Sequence, residues 1–208
     1  MAGIFDLFRR IEKERAPASP PTHLLVGLGN PGEPYRFTRH NVGFMALDLF
    51  AEHCGTALTR VKFKGLTAPA APDGVSALLL KPQTFMNLSG QAVREAAAFY
   101  RIPPERILVF CDDVNFEVGA MRIRLQGSAG GHKGLASIME HLGSDAFPRI
   151  RIGVGKKPHP DYELTDWVLG KFSPADQDAL APVLERAYEA ARLLLAGKTD
   201  EALRRYST

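Results

Sequence analysis

Cysteine is nearly absent. The chain of 208 residues has only Cys54 and Cys111, too few for a secreted disulfide framework and suited to a reducing cytosol. No apolar run approaches the ~18 residues that read as a membrane span. The six histidines and two cysteines show no C-x-x-C or H-E-x-x-H pairing, so no zinc set is legible. There is no G-x-x-x-x-G-K-[ST] phosphate loop and no G-x-S-x-G serine elbow. No internal repeat or low-complexity tract interrupts the chain. What remains is ordinary for a soluble globular protein, with 45% apolar and 24% charged residues. At this length one domain can bury ~70% of its unfolded surface without disulfide or metal.

The net charge is only +3, but it is unevenly spread. From Gly119 to Lys157, seven Lys/Arg (Arg122, Arg124, Lys133, Arg149, Arg151, Lys156, Lys157) face Glu140 and Asp145, so this segment carries +5 and the rest −2. A basic stretch on a near-neutral body steers an anionic partner such as nucleic acid. On charge alone, a solvated face is the plainer reading.

Ile4, Leu7, Phe8 and Ile11 make one apolar stripe at helical spacing. The segment 16–21, Ala-Pro-Ala-Ser-Pro-Pro, cannot continue a helix. Residues 1–22 therefore read as an appended helix on a stiff linker, unlike a signal or transit peptide. The body, 23–208, alternates strands and helices. Strands are expected at 23–28, 76–81, 106–110, 119–125 and 149–154. Helices are expected at 41–53, at 89–101 and from the glycine-rich 127–134 loop to His141. Ser173-Pro174 opens a terminal helix with a cap and an N1 proline, and Pro182 is expected to kink or split it. The pattern is that of an α/β domain.

Gly27-Leu28-Gly29-Asn30-Pro31-Gly32 matches the dinucleotide fingerprint and follows a strand. That fingerprint needs a helix opening at the glycines. Here Pro31 and Pro34 flank Gly32, and the next helix waits until about residue 41. The acid expected ~20 residues on is Asp48, inside an amphipathic helix. The loop instead offers Asn30 at a strand's carboxyl end, where α/β sheets place ligands. Tyr35, Arg39, His40 and Asn41 follow. At a helix start the dipole favours the neutral imidazole, so His40 is a candidate general base, though a capping or surface histidine is the plainer alternative. Phe85 and Asn87 follow the strand 76–81, and Asn87 could equally cap a helix. Asp112 and Asp113 end the strand 106–110. A carboxylate there can orient a histidine, bind magnesium or serve a turn. Water-mediated hydrolysis, with histidine as base and amides as oxyanion donors, fits this set.

VGLGNPGEPYRFTRHNVGF (26–44), KPQTFMNLSGQAV (81–93), ILVFCDD (107–113), GSAGGHKGLASI (127–138) and RIRIGVGK (149–156) resemble the bacterial peptidyl-tRNA hydrolase family. The resemblance runs in order from residue 23 to about 172. It implies one domain, a twisted mixed sheet between helices on both faces, with a lid from the glycine-rich region and the C-terminal segment. It implies hydrolysis of the ester joining a peptide to the 3′-terminal ribose of tRNA, recycling tRNA from drop-off or stalled translation, without metal or cofactor. It places the catalytic histidine on His40 and its supporting aspartate on Asp112. The asparagine that selects N-blocked substrates falls on Asn30, and the one beside the reacting carbonyl on Asn87. Tyr35 and Phe85 are expected to line the site, and Arg124 and Arg151 to hold the tRNA backbone. Lys133 replaces the asparagine of a Gly-Gly-His-Asn-Gly lid pattern and can pair with phosphate. Cys111 stands where a histidine often precedes the aspartate. A cytoplasmic monomer is expected. Some organellar relatives of this fold assist RNA splicing, which is the rival reading.

Overall fold

The structure is a computed structural model that describes residues 20–207. The expected N-terminal helix and most of the proline linker lie outside the described residues. The body begins with β1 (His23–Gly27), buried without a break from Leu24 onward. Such a run needs cover on both faces, as in a central parallel strand. β1 has parallel neighbours on both sides. Val26 stands opposite Leu80 of β4 (Ala77–Pro82), and Leu24 opposite Ile107 of β5 (Ile107–Asp113). With β2 (Arg60–Lys62), β3 (Gly65–Ala70), β6 (Met121–Arg124) and β7 (Arg149–Gly153) the sheet has seven strands in the order β2-β3-β4-β1-β5-β7-β6. β2, β3 and β6 run antiparallel to their neighbours, and β7 runs parallel to β5.

Strand alternation divides the core. Leu24, Val26, Leu80 and Val109 pack with α2 (Ser89–Tyr100) and α3 (Lys133–Leu142). Leu25, Leu79 and Phe110 pack with α1 (Val42–His53) and α5 (Pro174–Leu195) on the other face. The expected three-layer α/β architecture is the observed one. α1 comes closest at Gly43, where a Cβ would meet the Phe110 carbonyl oxygen at 2.4 Å. That approach lets the Phe44 N–H donate to the Leu28 carbonyl at 3.1 Å, which anchors the loop carrying the site.

Ser173 caps α5 as expected, in a reciprocal pair of hydrogen bonds with Asp176. Pro182 neither splits nor ends that helix, which runs unbroken from Pro174 to Leu195. A proline removes one helical hydrogen bond. Leu180 before it and Val183 and Ala187 after it all pack into the core, and that burial holds the helix together. The sequence pattern did not mark the β2–β3 hairpin or two short helices, α4 (Leu164–Leu169) and α6 (Thr199–Tyr206). A strand of three residues and a helix of six are too short for periodicity to show.

Candidate active site

Three chain segments leave the sheet at the carboxyl ends of adjacent parallel strands. After β1 the glycines lead into two 3-10 turns, Glu33–Tyr35 and Arg39–Asn41, and α1 begins only at Val42. His40 lies in the second turn. Asp112 lies in the last part of β5, and Phe85, Met86 and Asn87 follow β4. They converge on a cavity of about 540 Å³, which Asn30, His40, Phe85, Asn87, Asp112, His132, Lys133 and Arg151 help to line.

The Asp112 side chain is 3% exposed and its Oδ1 meets two imidazoles. His40 Nδ1 lies 2.8 Å away and His132 Nε2 2.9 Å away. The tautomers follow from the partners. His132 Nδ1 accepts the N–H groups of Gly134 and Leu135 at 3.1 and 3.3 Å, capping α3. Its proton is therefore on Nε2 and is donated to Asp112. His40 donates from Nδ1 to the same oxygen, so in the neutral ring Nε2 is the nitrogen without a proton, on a residue that lines the cavity. Burial alone would push the Asp112 carboxyl up. The positive charge that the two imidazoles carry when protonated, and the hydrogen bonds they donate, hold it well below the usual carboxylate range. These three side chains are also a donor set of the metal-binding type, with ligand atoms within 4.8 Å of one another. In the hydrogen-bonded arrangement the two facing ring nitrogens already carry protons, so the set reads as an orienting device.

Asn30 is held on three sides. Its backbone N–H donates to Asn41 Oδ1 at 2.8 Å, and its carbonyl accepts from Asn41 Nδ2 at 2.9 Å. Its own Oδ1 accepts the Met86 N–H at 2.9 Å. That assigns the amide, leaving Nδ2 as a donor with no partner among the described residues. Asn87 is exposed on the cavity wall and caps nothing, because the N-cap of α2 is Leu88. Gly134 lets α3 press its first turn onto this segment, since a Cβ there would lie 2.6 Å from Met86 Sδ.

A family model described as peptidyl-tRNA hydrolase matches residues 24–208. The chain belongs to the peptidyl-tRNA hydrolase family. A peptidyl-tRNA hydrolase of Symbiobacterium thermophilum is 48% identical over 187 residues, covering 89% of this chain and 98% of the relative. One from Clostridium novyi is 46% identical over 184 residues, covering 88% and 97%. The crystal structure of the Acinetobacter baumannii peptidyl-tRNA hydrolase superposes with a TM-score of 0.83 at 35% identity, covering 91% of this chain and 99% of that one.

Other residues expected to serve a peptidyl-tRNA hydrolase site fall in different places. Phe85 stands on the cavity wall, 57% exposed. Tyr35 does not line the cavity. It ends the first 3-10 turn, where its carbonyl accepts from the Thr38 N–H and hydroxyl, and the second turn delivers His40 instead. Arg124 is exposed on β6, outside the cavity. Arg151 lines it, but its Nε lies 2.7 Å from Asp113 Oδ2. Asp113 also accepts from the Asn115 backbone and side chain, so it serves a turn and an ion pair.

The basic 119–157 segment is not one grip. Arg149 is 1% exposed and ties down the carbonyls of Asp145, Phe147 and Gly127. Arg122 covers the Phe116 ring, and Lys156 pairs with Glu117. Backbone carbonyls in irregular loops need donors, and Arg149 is drawn inward to supply them, while Arg122 and Lys156 find local partners nearer the surface. Cys111 is fully buried in the core beside α2 and α3, and burial pushes its thiol far up, which keeps it unreactive.

Sequence reasoning missed His132, although its place before a helix in a glycine-rich loop is an N-cap signal. It also missed the short helix that closes one side of the cavity and the residue that anchors it. α4 contributes Leu164, Thr165, Val168 and Leu169 to the cavity. Arg39, next to His40, stacks its guanidinium 3.8 Å from the Trp167 ring and donates to the Lys171 carbonyl at 2.7 Å. It also reaches Asp176 at 3.3 Å, and its backbone N–H donates to the Gly170 carbonyl at 2.9 Å.

Proposed function

We propose that this protein hydrolyses the ester between a peptide and the 3′-terminal ribose of tRNA, with His40 as general base. The observation that carries the mechanism is the His40–Asp112 hydrogen bond at a cavity whose wall also holds Asn30 and Asn87. His40 Nε2 takes a proton from water as the water oxygen attacks the ester carbonyl. The imidazolium that forms faces the Asp112 carboxylate. An amide N–H₂ group stabilises the oxyanion, and Asn87, free of intramolecular duties among the described residues, serves there. Asn30 Nδ2 contacts the peptide and favours N-blocked over free aminoacyl esters. The carbon–oxygen bond to the ribose then breaks and the imidazolium returns its proton to the ribose oxygen. The products are a peptide carboxylate and a tRNA with a free terminal hydroxyl. A positioned base supplies roughly 10²–10⁴-fold and an oxyanion donor roughly 10²–10³-fold.

The apolar wall of Phe85, Val168 and Leu169 suits a peptide side chain. Lys133, exposed at the rim, and Arg124 on β6 are the cations we assign to tRNA phosphates. Arg151 contributes the outer face of a guanidinium already paired to Asp113. Two unpaired cysteines and a tRNA substrate suit a cytoplasmic protein, and we place it there as a monomer. No helix among the described residues is long and apolar enough to cross a membrane. The deciding experiment adds the purified protein to N-acetyl-aminoacyl-tRNA and to its unblocked counterpart. Release of the blocked amino acid with little action on the free one is expected. RNA binding without cleavage would instead favour a splicing-type binding role.

A further inference from the structure

The β2–β3 hairpin is built against its own turn chemistry. Its central residues, Phe63 and Lys64, have φ of 55° and 53°. Turns of this kind ordinarily carry Asn-Gly or Gly-Gly, because a Cβ is strained at positive φ. Phe63 is held there by burial, its ring centroid 5.3 Å from Phe99 and 5.8 Å from Tyr100. Lys64 has no such compensation. It is exposed, and its Nζ donates to Gln91 Oε1 at 3.0 Å. Lys62 Nζ stands 3.8 Å from the Phe99 ring. The tip therefore lies along α2, touching its first turn through Lys64 and its last through Phe63 and Lys62.

This arrangement concentrates positive charge. Residues 60–65 and 89–101 hold Arg60, Lys62, Lys64, Arg94 and Arg101 against one acid, Glu95. None of these five cations has an acidic partner within 4.0 Å among the described residues. Phe99, against which Lys62 stands, is 61% exposed. Cations on the edge strand β2 also blunt edge-to-edge pairing. That role accounts for Arg60 and Lys62. It does not call for a lysine in a strained turn, or for Arg94 on α2 and Arg101 at its C-cap.

The tip stands beside the active site. The Gln83 N–H donates to the Lys64 carbonyl at 2.8 Å, and Gly65 lies opposite Pro82, the last residue of β4. The chain then runs directly into Phe85, Met86 and Asn87 of the cavity wall. The hairpin occupies the flank of the sheet opposite β6 and β7, which carry Arg124 and Arg151. We propose that Lys62 and Lys64 at the hairpin tip, with Arg94 on α2 and Arg101 at its C-cap, form a second RNA-contact surface that grips backbone phosphates of the tRNA body. Charge complementarity names the occupant. With Arg124 and Arg151 taking phosphates on the β6–β7 side, a polyanion as large as tRNA reaches this flank as well, which offers cations with no acidic partner among the described residues and an aromatic face for a base or ribose. The inference rests on the peptidyl-tRNA hydrolase reading and deepens it.

The test compares the wild type with the double variant Lys62→Glu/Lys64→Glu and, independently, Arg94→Glu on the exposed side of α2. Steady-state kinetics are measured across a salt series on full-length N-acetyl-aminoacyl-tRNA and on the same ester carried by only the terminal nucleotides. For the double variant, KM on full-length substrate is expected to rise about fivefold or more at low salt, with kcat unchanged. The slope of log KM against log salt is expected to fall by about 1–2. Arg94→Glu should act in the same direction by about half as much, and the short ester should be cleaved by both variants as by the wild type. Unchanged KM and slope in both variants overturn the proposal. Equal losses on long and short substrates overturn it too, since they mark a disturbed cavity. Failure of the underlying reading looks different, because the wild type would then cleave neither substrate.

Discussion

Asp112 gathers two imidazole N–H groups on a single oxygen, and this determines how its variants behave. In Asp112→Asn the amide oxygen can still accept both protons, so the rings keep their orientation and only the negative charge is lost. Asp112→Ala loses both. We expect turnover to fall by roughly 10²-fold or more in the asparagine variant and further in the alanine variant. Equal losses in kcat would show that orientation contributes nothing. Because the wild-type carboxyl is held well below its ordinary value, it is ionised throughout the range in which imidazoles titrate. A loss of kcat/KM on acidification is therefore expected, and imidazole protonation is its source. Without the carboxylate to stabilise the cation, the acid limb of Asp112→Asn should move to lower pH, and a limb that stays in place or moves up argues against the pairing. His40→Ala should reduce turnover at least ~10²-fold and leave tRNA affinity, measured by filter binding, near the wild-type value. A parallel loss of affinity would make His40 a binding residue.

Single residues here act by joining elements. His132 caps α3 through Nδ1 and steadies Asp112 through Nε2. Asparagine can perform the first task but is too short for the second. His132→Asn should therefore lower kcat with stability nearly unchanged, whereas His132→Ala should lower kcat and cost a further ~1 kcal/mol in urea denaturation. The reverse ranking in stability would show that the cap is not made by the ring. Arg39 performs the corresponding task for α4 and the start of α5. It fastens them to the turn that carries His40. A lysine cannot stack and fork together. Arg39→Lys should loosen the cavity wall, raising KM several-fold with a smaller effect on kcat. A change confined to kcat would refute the anchoring role. Boundaries of the long elements were legible in the sequence because their apolar periodicity spans several turns or a full buried strand. α4 was not, since its stability derives from Trp167 and Arg39 rather than from any pattern of its own.

Across the whole molecule, the electrostatic role of each cation follows from its partners rather than from its place in the sequence. Arg124 has no acidic partner among the described residues, so Arg124→Ala should reduce the salt slope of tRNA binding by about 1 without loss of stability. Arg151→Ala strands Asp113, 3% exposed, without its guanidinium and should lower the denaturation midpoint as well. If both variants change only the salt slope, the Arg151–Asp113 pair has no structural weight. The layered α/β fold, the strand ends that bear Asn30, Asn87 and Asp112, and the membership of the family were all present in the linear chain. Strand alternation, helix spacing and ordered motifs are local properties, and local properties survive in one dimension. Three matters were left to tertiary structure. These are the meeting of His40 and His132 on one carboxylate oxygen, the drawing of Arg149 into the interior, and the gathering of free cations along α2 and the β2–β3 tip. Each depends on which distant side chain fills a given direction in space, and a buried donor takes the nearest acceptor that packing provides, whatever their separation along the chain.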